Sequence, residues 1–432
     1  MFRANKTLFV LLIALLVVSS GVVHAQEDVT ITLWTHDGLY VEFFTARAEE
    51  WKATHPDINF TFDFQVIPDL TTVVLSNIAA GEPLPDILGI EQGWFPSYMR
   101  DNIIADNFLD LTDRIGDNFD LIAEGRWSLF NHQGGIYGVD SGLSTAAYYY
   151  QPALLEAAGL EAVPETWEAF LEAGAQAFQN TGIHLSWIAS ASDMFQLYYL
   201  QRGGQIFDEQ GNFVFGEPEN REKAIEVLNM WREGIDNGTF ATFLETEMFG
   251  PTPIEAYHSG TIAGSVQADW YGTYILEPQA EDMAGQWRLA PMPAWADGEG
   301  TGTSVWGGTG FAVNKNRPHA DLAWELIEYG YLTYEGQVKR FEEIGYFPTM
   351  IEAASDPRVT GLEAEFYGGQ KIGEIWAATV TEVPIWYQSP YRQVWKTAVD
   401  ENMPLFLDGS MDAEALVDTV VTTVEDEIAF DS

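Results

Sequence analysis

Between Val29 and Ile90 the apolar residues switch repeatedly between two spacings, and few folds accommodate that pattern. Val29-Thr30-Ile31-Thr32-Leu33-Trp34 alternates as a strand does and runs into Thr35-His36-Asp37-Gly38. Val41, Phe44, Ala48 and Trp51 then recur at steps of three and four, the stripe of an amphipathic helix that must stop before Pro56. Ile58, Phe60, Phe62, Phe64 and Val66 alternate with Asn59, Thr61, Asp63 and Gln65, which predicts a second strand. Another helical stretch covers about Leu70 to Ala80, and 85–90 gives a short third strand. Strand, helix, strand, helix, strand is the order of an α/β chain with a parallel sheet and right-handed crossovers. Ligands of such sheets sit beyond the carboxyl ends of the strands. Here that rule points to Trp34, His36 and Asp37 after the first strand and to Glu91, Gln92 and Trp94 after the third. Glu91 and Trp94 lie past the strand end and read as ligand contacts, whereas Trp34 is either a contact or a core residue.

A second constraint comes at 306–329. Gly307, Gly308 and Gly310 permit backbone angles closed to other residues. Phe311-Ala312-Val313 then reads as a strand, 314–317 as a polar turn, and Pro318 as the first turn of a helix facing inward with Leu322, Leu326 and Tyr329. A flexible entry, a buried strand and a helix mark a place where the chain passes between two bodies. Length agrees. Residues 1–25 carry Arg3 and Lys6, an apolar run from Leu8 to Val18, and Val23-His24-Ala25 as a small-x-small cleavage site, so a secretory leader is expected. Removing 25 of 432 residues leaves 407, more than one core usually holds, and two domains are expected.

Both charges in the leader are basic, so the remainder holds 65 acidic and 18 basic residues, a net of −47. That balance excludes a nucleic-acid partner, which needs a basic face, and opposes adsorption to anionic lipid. A solvated acidic surface that keeps the chain soluble is the reading it favours. The absence of cysteine excludes disulfides, thiol catalysis and a lipid-modified cysteine after the leader, which predicts a free periplasmic or extracellular protein rather than a lipoprotein.

Further along, Gly135-Ile136-Tyr137-Gly138-Val139 is followed by Ser144-Thr145-Ala146-Ala147-Tyr148-Tyr149-Tyr150, then Leu154-Leu155-Glu156-Ala157-Ala158-Gly159-Leu160 and Pro164-Glu165-Thr166-Trp167. Thr166 is placed to cap a helix bearing Trp167, Phe170, Leu171 and Phe178. This order resembles the passage by which extracellular solute-binding proteins of family 1, the sugar-binding components of ABC importers, first cross to their second lobe. Asp140 stands where proline is usual and Gln151 where asparagine is usual. Residues 263–270, ending in Asp269-Trp270, resemble the family's strand and loop whose tryptophan commonly stacks on sugar. The 306–310 stretch resembles its second crossing and 345–349 its third, while 383–392 falls where the family places further aromatic contacts.

The resemblance implies a periplasmic-binding-protein-like α/β fold of two lobes, 26–139 with 307–348 and 140–306 with 349–432, joined by crossing hinge strands around a ligand cleft. It adds Ser144, Trp187, Asp269, Trp270, Trp306, Gly307, Trp386 and Tyr391 to the candidate contacts Trp34, His36, Asp37, Glu91 and Trp94. In the second lobe Asn220 is placed to cap a helix carrying Ala224, Val227, Leu228, Trp231 and Ile235. Asp208 and Asn212 lack calcium-ligand spacing and read as a turn, and the glycines of 298–302 read as a mobile loop.

No nucleophile elbow, phosphate loop or zinc-ligand motif occurs, and the seven histidines are scattered and expected mostly in surface loops. What remains is aromatic: 15 Trp and 18 Tyr, several at strand ends and crossings. Flat rings match the C–H face of a pyranose, and Asp, Glu, Asn and Gln match its hydroxyl edge. A monomer that binds a mono- or oligosaccharide, hands it to a membrane permease and needs no cofactor or metal is therefore expected. Two alternatives stay open. One is a glycoside hydrolase using two carboxylates. The other is a binding protein for a cationic solute such as a polyamine.

Overall fold

The computed structural model describes residues 27–431, so the leader expected at 1–25 lies outside the described residues. In the first lobe β1 (Glu27–Thr35) pairs in parallel with β2 (Ile58–Val66) on one side and β3 (Ile87–Glu91) on the other. The connecting helices are α1 (Gly38–Lys52) and α2 (Leu70–Ala80), as the periodicity predicts. Along α1 the buried face is Tyr40, Phe44, Ala48 and Trp51, widened by Phe43 and Arg47. Full burial of one such ring contributes about 1.5–3 kcal/mol. The alternation in β2 also holds: Phe60 is buried, Phe62 and Phe64 are half-buried, and their polar neighbours are exposed. Val66, the last residue of this edge strand, is exposed.

Two further strands complete this sheet from distant parts of the chain. Thr309–Val313 lies antiparallel to β3, and Val139–Asp140 lies antiparallel to Thr309–Val313. The parallel pattern thus ends at β3, since the chain re-enters from the other lobe and meets the sheet from the opposite end. Gly308, at φ 120, marks that entry, and a Cβ there would run into the guanidinium of Arg126.

The second lobe centres on Ala146–Tyr150, flanked on both sides by antiparallel Gly264–Ala268 and Arg288–Pro291. Beside it lies the parallel pair Ser186–Ala189 and Phe240–Phe243. Long helices cover these sheets, among them Trp167–Thr181, Ser192–Gln201, Pro218–Asp236, Arg392–Leu407 and Ala413–Asp431. Thr166 caps the first by accepting from the Ala169 N–H.

Three local expectations need correction. The helix expected to start at Asn220 starts at Pro218, the residue best suited to a first turn, and Asn220 instead accepts from Gln205 N–H and donates to the Val214 carbonyl. Pro318 lies just ahead of its helix, Ala320–Tyr331. His132 is buried rather than in a surface loop, where its Nε2 lies 3.2 Å from the Asn102 side chain.

The three crossing segments lie side by side. Ser141 N–H donates to Thr309 O at 2.9 Å, Thr309 N–H donates to Ser141 Oγ at 3.2 Å, and Leu143 N–H donates to Phe347 O at 3.2 Å. At their centre Arg126, fully buried, forms an ion pair with buried Asp140 and donates to Gly307 O at 3.1 Å.

Among the described residues no helix is long and apolar enough to cross a membrane. With a formal charge of −45 over the whole chain, carboxylates repel one another over distances that salt screens within about 8–10 Å. Thermal stability is therefore expected to rise as sodium chloride goes from low to moderate concentration. A flat or falling melting temperature in differential scanning calorimetry would contradict this.

Candidate ligand-binding site

Between the lobes lies a cavity of about 450 Å³, inside the ~300–1,000 Å³ range of small-ligand sites. The first lobe contributes the residues just past the carboxyl ends of β1 and β3: His36, Asp37, Glu91 and Trp94. The second contributes Asp269 and Trp270, and the crossings contribute Ser144, Trp306 and Gly307. All nine were candidates on sequence grounds.

Several of these side chains already have protein partners. Asp37 caps α1 by accepting from the Leu39 N–H at 2.9 Å, and its other oxygen accepts from Tyr346 Oη at 2.5 Å. Asp269 accepts from the N–H groups of Trp270 at 2.7 Å and Ser144 at 3.3 Å. Ser144 itself stands in the left-handed region at φ 55, a conformation costly for a non-glycine residue and common at binding sites. Trp270 donates from Nε1 to the Trp306 carbonyl at 2.6 Å, and its ring meets those of Trp306 and Phe249 at 5.8 and 5.6 Å. The result is a fixed aromatic corner with one open side.

The electrostatics follow from enclosure. Burial pushes the Glu91 carboxyl up to about 7, Asp193 across the cleft adds to this, and Lys396, Arg392 and the Gly93 N–H oppose it. Burial likewise raises Asp269 to about 6, against the charge of Arg126. Burial also acts on Asp193, but Lys396 at 2.5 Å and Arg392 at 3.3 Å hold its carboxyl below the usual range. The His36 ring is reached by solvent yet surrounded by protein, and this loss of hydration lowers its pKa in spite of Asp37. Among the described residues no three His, Asp or Glu side chains are placed to hold a metal ion.

Four sequence candidates stand outside the cavity. Trp34 is half-buried against a smaller apolar cluster that draws mostly on the first lobe. Trp187 belongs to a strand buried along its whole length, and donates to Tyr257 Oη at 2.7 Å in the second-lobe core. Trp386 is buried in the same cluster as Phe95 and Leu200, with the Arg392 guanidinium 5.1 Å over its ring. Tyr391 is half-buried, with the Arg100 guanidinium 5.9 Å from its ring. For Trp187 and Trp386 burial leaves no ring face open to a ligand, whereas Trp34 and Tyr391 keep part of their surface.

The cavity also holds residues that sequence reasoning missed. Asp193 and Lys396 face it from helices Ser192–Gln201 and Arg392–Leu407, some 200 residues apart and joined by their ion pair. Glu245 and Phe249 come from the segment after Phe240–Phe243. Tyr274, 48% exposed, projects from Gly272–Leu276, a turn wound wider than an α-helix, as is frequent at functional sites.

The sequence profile of the bacterial extracellular solute-binding proteins matches residues 46–364, more than half of the chain. The chain belongs to that family. Among curated relatives, this solute-binding protein is 27% identical over 356 residues to an arabinooligosaccharide-binding protein of Halalkalibacterium halodurans, covering 80% of this chain and 77% of that one. It is 26% identical over 415 residues to a lactose-binding protein of Rhizobium radiobacter, covering 92% of each. Among solved structures, the sugar-binding protein MalE from Xanthomonas citri shares the fold, with a TM-score of 0.71 at 19% identity over 92% of this chain and 97% of that one.

For this solute-binding protein the raised Glu91 carboxyl predicts a pH effect. A carboxyl held near 7 in the folded chain keeps a proton that the unfolded chain, with its ordinary value of 4.5, has released. That group's contribution is therefore lost as pH rises from about 4.5 to 7, with a slope approaching 1.4 kcal/mol per pH unit. Histidines 36, 132 and 184, whose pKa values burial lowers, act in the opposite sense, so the clean comparison is between two proteins. Relative to wild type, Glu91→Gln is expected to gain melting temperature steadily across that window and level off above it. A difference independent of pH would contradict the assignment.

Proposed function

We propose that this solute-binding protein is the carbohydrate-capturing component of an ABC importer, holding a mono- or oligosaccharide between its lobes and delivering it to a membrane permease. The observation that carries this reading is the pairing of flat aromatic surface with hydroxyl-binding groups in one cavity. Trp94, Trp270 and Tyr274 offer faces for the C–H side of a sugar ring. Glu91, Glu245 and His36 stand beside them as hydrogen-bonding partners for hydroxyls. A carboxyl near 7, such as Glu91, both donates and accepts at neutral pH, which suits hydroxyls better than cations. The arabinooligosaccharide- and lactose-binding relatives support the same ligand class.

Binding proceeds without covalent chemistry or cofactor. The lobes are 26–139 with 307–348 and 140–306 with 349–432, and they close about the segments at 140–144, 306–310 and 347–349. The chain acts as a monomer outside the cytoplasmic membrane, released from a cleaved leader and free of a lipid anchor, since it has no cysteine.

One observation favours a second reading, a cationic ligand: the cavity is lined by Asp37, Glu91, Asp193, Glu245 and Asp269 against Lys396 and His36. Against it, Asp37 and Asp269 are engaged by protein donors and Asp193 by Lys396. Native mass spectrometry of the protein purified from its own host decides between them. The mass of a glycan is expected, unchanged after incubation; a polyamine, or release of shorter sugars on standing, would overturn the proposal.

A further inference from the structure

A second cavity, of about 470 Å³, opens beside the first, and His36, Glu91 and Trp94 form the wall common to both. It belongs to the first lobe alone, between the start of α2 and the residues that follow β3. Trp94 stands at the junction with half of its surface (51%) exposed, although an indole is among the side chains with most to gain from burial. The remaining wall is mixed: Thr71, Thr72, Ser97 and Asp69 supply hydroxyls and a carboxylate, and Leu70 and Leu75 supply apolar surface. Asp69 heads α2 in the left-handed conformation, φ 49, yet its carboxylate makes no hydrogen bond to the helix it precedes. It is left available to a ligand.

We propose that the second cavity holds the continuation of the glycan seated in the first, so that the ligand is an oligosaccharide whose chain passes across the face of Trp94. The inference rests on the carbohydrate reading above and narrows it. A sugar chain repeats an apolar face and a hydroxyl edge from ring to ring. The two cavities repeat that pair of surfaces, with one indole shared between them. Glu91, also shared, accepts from Gly93 N–H at 2.6 Å with one oxygen and keeps the other for a hydroxyl at the junction. A monosaccharide would use the first cavity and leave the exposed face of Trp94 on the far side without a partner.

The test is isothermal titration of the full mature chain with lactose and with arabinooligosaccharide and maltooligosaccharide ladders, from disaccharide to tetrasaccharide. For the ladder that binds, affinity is expected to rise on the order of tenfold from disaccharide to tetrasaccharide, the gain from one further stacked and hydrogen-bonded ring. Thr72→Trp places an indole in the second cavity from an exposed position and is expected to abolish that rise. Ser97→Trp does the same from the helix that follows Trp94 and serves if Thr72→Trp fails to fold by circular dichroism. Affinity that is flat beyond the disaccharide, or a rise that survives in the folded tryptophan variants, overturns the inference and leaves the carbohydrate reading standing. If none of these sugars binds, that reading falls, and the inference with it.

Discussion

Arg126→Met is expected to destabilise the folded protein by about 3–5 kcal/mol, the cost of stranding one member of a buried ion pair. The guanidinium is fully buried, pairs with an equally buried Asp140, and holds the Gly307 carbonyl at 3.1 Å. Without it the Asp140 carboxylate, whose pKa burial already raises, is left in the interior without its main opposing charge. Because Asp140 and Gly307 lie on two of the crossing segments, the loss falls on the joint between the lobes. Asp140→Asn in the same background removes the stranded charge and is expected to restore part of the loss, an interaction that a double-mutant cycle reads directly. Urea unfolding followed by far-ultraviolet circular dichroism provides the measurement. A loss below about 1 kcal/mol for Arg126→Met would mean that the pair is solvated and the joint is held otherwise.

The second large effect concerns binding. Trp270→Ala removes the fixed ring of the aromatic corner and is expected to weaken glycan binding by about 1–3 kcal/mol, roughly 5- to 150-fold in Kd. The ring is held in place by its bond to the Trp306 carbonyl and by edge contacts with Trp306 and Phe249, so stacking on it entails little loss of freedom. It is only half-buried, and its removal opens no closed core cavity. Lost affinity with an unchanged melting temperature is therefore the expected pair of results. Lost stability with normal affinity per folded molecule would assign Trp270 to the core.

Much of this architecture is legible because local pattern and tertiary environment agree. The helix α1 is read from Phe44, Ala48 and Trp51, and the edge strand β2 from its alternating phenylalanines. Its strand ends then locate His36, Asp37, Glu91 and Trp94 with no further information. The strand Thr309–Val313 is legible as a strand but not as antiparallel, since direction depends on which lobe the chain has just left. Aromatic residues are ambiguous for a similar reason. Trp187, Trp270 and Trp386 all follow or occupy short apolar runs, and only packing decides that Trp270 keeps an open face while the other two are buried. Asp193 and Lys396 could not be foreseen, because each is an ordinary charge near the start of its helix and their meeting depends on two helices that are remote in sequence. Asp37 and Asp269 show a further limit: a carboxylate at a strand end serves as readily to cap a helix or tie down backbone as to hold a ligand.

Closure of the two lobes on a carbohydrate held in the cleft between them is read most directly by small-angle X-ray scattering. The protein would be measured alone and with saturating lactose, arabinooligosaccharides and maltooligosaccharides in turn. A fall in the radius of gyration with at least one of these glycans, absent with spermidine, is the result predicted. A radius unchanged by every glycan, or a fall with spermidine alone, would contradict it.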